Sequence, residues 1–245
     1  MRVALVSDMH GNAVALRAVL ADIQRHDVDL IVSLGDVAQG GPQPLECVEL
    51  LHELGGPCIF GNADDFLLTL KAGRLVENEQ REAGMRETAL WSREQLGVQG
   101  LRFLRDFVPT VELDLDGTRL ACCHATPSSN EDVILPDTPR PDAERMIGDV
   151  DAEAIAAGHV HLQWLRRFGR RLWFCVGSVG LVYEHKDPLD AVPFEPWSEY
   201  GIATSDGEAV AVEFRRVPFD VEKLVSAARA SDFPAIERWQ AMWKR

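Results

Sequence analysis

The chain has 245 residues, of which 46% are hydrophobic, enough to bury a sizeable core in one large α/β domain or two small ones. A formal charge of −14 works against non-specific binding to duplex nucleic acid, which depends on Lys and Arg neutralising phosphates, but leaves small anionic substrates open if the site itself is positive. No apolar stretch approaches the length that spans a bilayer, and the amino terminus enters a strand without a basic leader, so no membrane partner and a cytoplasmic location are expected.

Val3-Ala4-Leu5-Val6 reads as a buried strand that breaks into Ser7-Asp8-Met9-His10-Gly11-Asn12. Asp8 and His10, two residues apart in an extended tail, share a face and point to one crevice at the strand's carboxyl end, where open α/β sheets collect ligands. The bland alternative is that Asp8 caps the helix starting at Asn12 and His10 is solvated. Val14, Leu16, Val19, Leu20 and Ile23 then recur at helical spacing, and Leu30-Ile31-Val32 forms a second strand, predicted parallel to the first through a right-handed crossover. It ends in Ser33-Leu34-Gly35-Asp36. A loop at Gly40-Gly41-Pro42 precedes a helix marked by Leu45, Val48, Leu50 and Leu51. Cys58-Ile59-Phe60 reads as a third short strand, stopping at Gly61-Asn62-Ala63-Asp64-Asp65. There glycine suits a tight turn and the acids suit the start of a helix through Leu70.

From about Glu77 to Phe107, apolar residues at helical intervals predict two helices broken near Gly97-Val98. Asp116-Gly117 between Val111–Leu115 and Thr118–Cys123 is a hairpin signature, and its second strand ends at His124. The polar, proline-rich segment from Thr126 to Pro141 is long enough for a lid or binding loop. A helix near Ala143–Ile147 leads to the short strand Ala154–Ala157, which closes in Gly158-His159-Val160-His161. Trp164–Phe168 and Leu172–Val176 form a hairpin through Gly169, followed by Gly177-Ser178-Val179-Gly180. Strands around Tyr200–Ser205 and Ala209–Phe214 meet at Asp206-Gly207, and helices at about 219–243 pack onto what is read as a single domain over 1–245. Five cysteines in no metal-binding spacing fit a reducing compartment and small hydrophobic roles.

The strand ends supply Asp8, His10, Asp36, Asn62, His124, His159 and His161. A lone histidine at a strand end is usually satisfied by a hydrogen bond. Seven metal-competent side chains at successive β-units favour ligation, and oxygen and imidazole donors without thiolate suit a pair of divalent metals. These motifs, Asp-x-His, Gly-Asp, Gly-Asn, His and Gly-His-x-His in this order, resemble those of the calcineurin-like metallophosphoesterase superfamily. Gly177–Gly180 and Val217-Pro218-Phe219-Asp220 look like its small bacterial, phosphodiesterase-like members.

The resemblance implies a four-layer α/β/β/α sandwich of two mixed sheets with the site at the strands' carboxyl ends. It places Asp8, His10, Asp36 and His161 on one metal ion and Asp36, Asn62, His124 and His159 on the other, with Asp36 shared. Asp36, His124 and His159 then stand as the residues at the chemistry. Manganese, iron, zinc, nickel and magnesium are all open. The implied activity is hydrolysis of a small phosphoester, a phosphodiester or nucleotide-type bond, by a water or hydroxide held between the metals. Phosphomonoesters and phosphoproteins are alternative substrates. A metal-dependent hydrolase of other bonds and a non-catalytic scaffold on the same fold are the rivals.

Two positions depart from the pattern. The third motif normally reads Gly-Asn-His, and its histidine is implied to protonate the leaving group, but here Ala63 stands in that place. The second motif, Gly35-Asp36-Val37-Ala38-Gln39-Gly40, lacks the arginine that protein phosphatases of the superfamily use on phosphate.

Overall fold

The computed structural model describes residues 1–71, 79–183, 193–234 and 236–243. The first half contains β1 (Arg2–Val6), α1 (Ala13–Ile23), β2 (Leu30–Ser33), α2 (Pro44–Leu54), α3 (Asn62–Thr69), α4 (Glu79–Arg105), β3 (Thr110–Leu115) and β4 (Thr118–Cys123). The second contains α5 (Arg140–Ile147), β5 (Ala154–Ala157), β6 (Gln163–Phe168), β7 (Arg171–Val176), β8 (Trp197–Ser205), β9 (Val210–Pro218), α6 (Val221–Ala230) and α7 (Ile236–Ala241).

β1 is apolar on both faces because both are covered. Ala4 and Val6 join the helix-side core with Leu16, Val19, Val48, Phe66 and Leu67, while Val3 and Leu5 face Leu120, Cys122, Ala156, Phe174 and Val176 of a second sheet. Burying each such Val, Leu or Phe stabilises by about 1.5–3 kcal/mol. The first sheet has the order β2-β1-β8-β9, with β1–β2 parallel and β8 and β9 antiparallel. The second runs β3-β4-β5-β7-β6, with β4, β5 and β7 parallel and antiparallel strands at both edges. The outer face of this sheet packs Ala121, Cys123, Ile155, Trp173 and Cys175 against Ala143 and Ile147 of α5 and against Ile134 of the preceding loop. The layers are therefore helix, sheet, sheet, helix, and both sheets are mixed.

The expected third strand is not one. Cys58 and Ile59 form single bridges, to Ser33 and Val108, since only these residues pair before the chain turns into α3. The glycine at 61 also has a different reason from the one expected. Its φ of −94° is open to any residue, but a Cβ there would lie 2.1 Å from Asp36 Oδ1. α5 starts at Arg140, so the long loop ends earlier than read, and β8 and β9 reach further, to Trp197 and Pro218. The break in α4 falls at Gly97 (φ 56°, ψ −166°). Glu77, the expected start of that helical stretch, lies outside the described residues.

α6 and α7 share an aromatic core, with Phe233, Trp239 and Trp243 packed against Val14 of α1, Trp91 of α4 and Phe194. The five cysteines are free, and burial pushes the thiols of Cys58 and Cys122 up to about 12, in keeping with inert packing roles. No described helix is long and apolar enough to cross a membrane.

α1 is tied to the first sheet by a polar contact as well as by apolar packing. Buried Asp22 accepts from the Tyr200 hydroxyl at 2.8 Å and from Arg215 Nε and Nη2 at 3.2 and 3.0 Å. Burial opposes ionisation of Asp22, but these donors outweigh it and hold the carboxyl below its ordinary 3.8. The stabilisation is therefore fully present above that value and is lost as pH falls through the lowered one. Asp22→Asn is expected to cost about 2 kcal/mol at pH 7, the scale of a hydrogen bond to a charged group. In urea unfolding the gap from the unmodified chain should shrink below pH 4, the ordinary carboxylate range. A gap that is constant with pH would show that the charge of Asp22 contributes nothing.

Candidate metal centre

All seven side chains singled out in the sequence gather at the carboxyl ends of parallel strands. Asp8 and His10 follow β1, Asp36 follows β2, His124 follows β4, and His159 and His161 follow β5, while Asn62 opens α3. Nine described non-glycine residues have positive φ, and five of them are Asp8, His10, Asp36, His159 and His161. Such backbone costs on the order of 1–3 kcal/mol per residue and persists where surrounding structure over-determines it.

That structure is a lattice of main-chain bonds between the two ligand loops of the first sheet. Asp8 N donates to Gly35 O, His10 N to Asp36 O and Gly11 N to Val37 O, each at 2.9 Å. Gly180 N and Ser178 Oγ both donate to Asp8 O, which locks the first loop to the segment after β7. Gly35 takes φ +103° where a Cβ would come within 2.7 Å of Gly61 N, so glycine is needed there for both backbone angle and room.

Three imidazoles are oriented in one way. Nδ1 of His10 lies 2.7 Å from Gln39 O, Nδ1 of His124 2.7 Å from Leu34 O, and Nδ1 of His161 2.5 Å from Leu181 O. A carbonyl can only accept, so each Nδ1 carries the proton and each Nε2 presents its lone pair when the ring is neutral. Those Nε2 atoms converge on the carboxylates. His161 lies 3.2 Å and His10 3.7 Å from Asp8 Oδ1, and His124 lies 3.4 Å and His10 3.8 Å from Asp36 Oδ2. His124 Nε2 also faces Asn62 Oδ1 at 3.0 Å, and the His159 ring packs 5.0 Å from that of His124. His10 and His161 oppose Nε2 to Nε2 at 3.1 Å.

The donors form two overlapping groups, Asp8 with His10 and His161, and Asp8 with Asp36 and His124, with the atoms of each group within 4.8 Å of one another. The resemblance puts the shared position on Asp36. In the structure the carboxylate common to both groups is Asp8, while Asp36 Oδ2 lies 3.4 Å from His124 and 3.8 Å from His10.

Electrostatics in the chain alone follow from this crowding. Burial works against ionisation of Asp8 and Asp36, yet His161 beside the first and His124 beside the second hold both carboxyls well below the usual range. Burial likewise opposes protonation of His124 and His161, but Asp36 and Asp8 raise them in return. His10 and His159 go the other way. Burial and then a neighbouring imidazole lower both, His159 to about 4. One buried side-chain atom in the cluster, His159 Nε2, has no hydrogen-bond partner. Carboxylates beside imidazoles anchored through their second nitrogen to backbone carbonyls, with a further buried imidazole nitrogen left unpaired, fit divalent metal ions.

Sequence reading missed the groups that hold these side chains. The carbonyls of Leu34, Gln39 and Leu181 carry no side-chain signal. Asp64 was visible only as an acid in the first turn of a helix. It is fully buried, and its carboxylate accepts from Asp36 N (2.8 Å), Val37 N (3.0 Å) and Gly61 N (3.0 Å), clamping the Asp36 loop to the start of α3. Ala63 N completes the clamp by donating to Asp36 Oδ1 at 2.8 Å. Burial, then the charge of Asp36, pushes the Asp64 carboxyl up to about 6, against the pull of the three donors toward its ionised form.

A family model for the calcineurin-like phosphoesterase superfamily domain matches residues 1–192. An uncharacterized protein of Methanocaldococcus jannaschii is 26% identical over 229 residues, spanning 90% of this chain and 89% of its own. Among solved structures, a metallophosphoesterase from Sphaerobacter thermophilus superposes with a TM-score of 0.73 at 26% identity, covering 98% of each chain. A hypothetical protein from Pyrococcus horikoshii shares the fold with a TM-score of 0.80 at 18% identity, covering 99% of this chain and 97% of that one.

The clamp makes a prediction that separates support from ligation. Asp64→Asn keeps the size but turns an NH₂ toward backbone donors, and is expected to cost about 3 kcal/mol in stability. Bound metal, measured by elemental analysis on folded protein, should fall with it although Asp64 touches no donor face of the cluster. Metal content equal to that of the unmodified chain would show that the clamp does not position Asp36.

Proposed function

The chain belongs to the calcineurin-like phosphoesterase superfamily, and on that premise we propose that it hydrolyses phosphodiester or nucleotide-type phosphate bonds of small substrates with two divalent metal ions. One observation carries this reading: three imidazoles pinned through Nδ1 to main-chain carbonyls aim Nε2 at two buried carboxylates. Asp8, His10, Asp36 and His161 would hold one ion, and Asp36, Asn62, His124 and His159 the other. Bound there, the metals would lower the pKa of a water and neutralise charge building on the phosphoryl oxygens.

The chain's own part is to fix geometry and to exclude competitors. The carbonyl anchors stop the rings from turning, so ligation costs little side-chain entropy. Replacing Asp36 or Asp8 by a neutral group would leave neighbouring imidazoles without their counter-charge. Position 63 is where proton help to a leaving oxygen is missing. Asp64 does not replace it, because both its oxygens are occupied by backbone N–H donors. Asp65 is exposed on α3. The absence of an arginine after Asp36 favours small esters over phosphoproteins.

The test compares leaving groups. With manganese, the protein is expected to hydrolyse bis(4-nitrophenyl) phosphate, and to leave a 4-nitrophenyl carboxylic ester and an anilide untouched. Alkyl phosphomonoesters, which need a proton on the departing oxygen, should be far slower. Ala63→His should raise kcat/KM on the alkyl monoester by about 10²-fold, the low end of general-acid help, while changing the activated diester little. Equal effects on both substrates at matched metal occupancy would remove the leaving-group role from position 63. Hydrolysis of the ester or anilide alone would remove the phosphoester reading.

A further inference from the structure

A cavity of about 350 Å³ opens beside His124, and neither His10 nor His161 lines it. One wall is apolar, made by half-buried Phe60 and by Pro109. The facing lip is the turn that starts the long loop, where Thr126, Ser128 and Asn130 contribute hydroxyls and an amide. The lip is preformed. Thr126 and Ser129 exchange main-chain bonds at 2.8 and 3.3 Å, Ser129 Oγ accepts from Glu131 N, and Thr126 Oγ1 donates to Asp132 Oδ2. Phe60 is fixed from the other side, since its N–H donates to Val108 O at 2.9 Å.

The volume sits at the small end of the roughly 300–1,000 Å³ of ligand pockets, and one aromatic wall with a few polar groups is their usual lining. Among the described residues, no Lys or Arg lines the cavity, and Asp132 stands behind Thr126. A negatively charged extension therefore meets no counter-charge among the described residues there, whereas a flat ring can lie on Phe60 with its polar edge toward the lip. Resting on the phosphoester reading above, we propose that this cavity is the subsite for the organic part of the substrate. It takes the uncharged, ring-bearing alcohol of the ester, and Phe60 and the Thr126–Asn130 turn are its specificity determinants. The phosphoryl group lies at the cluster and the ring beside it, across His124. Substrates with a second anionic group in that position are discriminated against.

Non-hydrolysable phosphonates test this by calorimetry on the manganese-loaded protein. Phenylphosphonate is expected to bind about tenfold more tightly than methylphosphonate, the scale of burying one ring. Phosphonoacetate, which carries a carboxylate instead, should bind no better than methylphosphonate. Phe60→Ala should abolish the phenyl advantage and leave methylphosphonate affinity unchanged, which also reports that the cluster is intact. Ser128→Trp fills the cavity from an exposed turn position and should do the same without touching the core, so it decides the matter if Phe60→Ala misfolds. An absent phenyl advantage, one that survives Ser128→Trp, or an equal gain from phosphonoacetate would overturn the subsite while methylphosphonate binding upholds the phosphoester reading. Failure of every phosphonate to bind would overturn that reading and the subsite with it.

Discussion

Asp8 and Asp36 are buried side by side at the ends of two neighbouring parallel strands, and no Lys or Arg reaches either of them among the described residues. An unpaired buried carboxylate costs several kcal/mol, so this pair demands positive charge from its surroundings. In the chain alone the demand falls on imidazoles, which is why His124 and His161 are raised and the acids lowered. The same two charges can instead be met by divalent cations, with every ring neutral and every Nε2 lone pair in use. The cluster is thus electrostatically expensive as protein and favourable as a cation site.

The fold accepts a second cost to build it. Five of the seven side chains sit on residues of positive φ, in loops with no freedom to relax because their amides bond one another and the segment after β7. Two parallel pairs, β1 with β2 and β4 with β5, aim their carboxyl ends at one rim of the sandwich. Strain at the loops is therefore offset by the apolar layers beneath, from Val3 and Leu5 through Phe174 and Val176. The cavity by His124 lies on the same rim, next to the charge.

Much of this was legible in the residues because chemistry and pattern change at the same points. An apolar run that stops at Asp8-Met9-His10, or at Gly158-His159-Val160-His161, marks both a strand end and a pair of metal-competent side chains, and these side chains lie in one cluster with Asp36, Asn62 and His124. The layer order was legible through the family resemblance. The reading failed where pairing length or tertiary contact decides. Cys58-Ile59-Phe60 is as apolar as a strand but has one partner residue on each side. Gly61 looked like a turn glycine, yet its missing Cβ makes room for Asp36. Asp64 has the signature of any helix-start acid, and nothing local announces that it holds Asp36, Val37 and Gly61. The carbonyls that orient the histidines, those of Leu34, Gln39 and Leu181, have no side-chain identity to read.

The proposal that most needs testing is that these strand ends hold two divalent ions with Asp36 between them. Anomalous diffraction from crystals grown with manganese, collected on either side of the metal edge, tests it most directly. Two peaks are expected in the cluster, one within bonding distance of His10 and His161 and the other of Asn62, His124 and His159, with Asp36 contacting both. A single peak, or two peaks of which Asp36 touches only one, would contradict it.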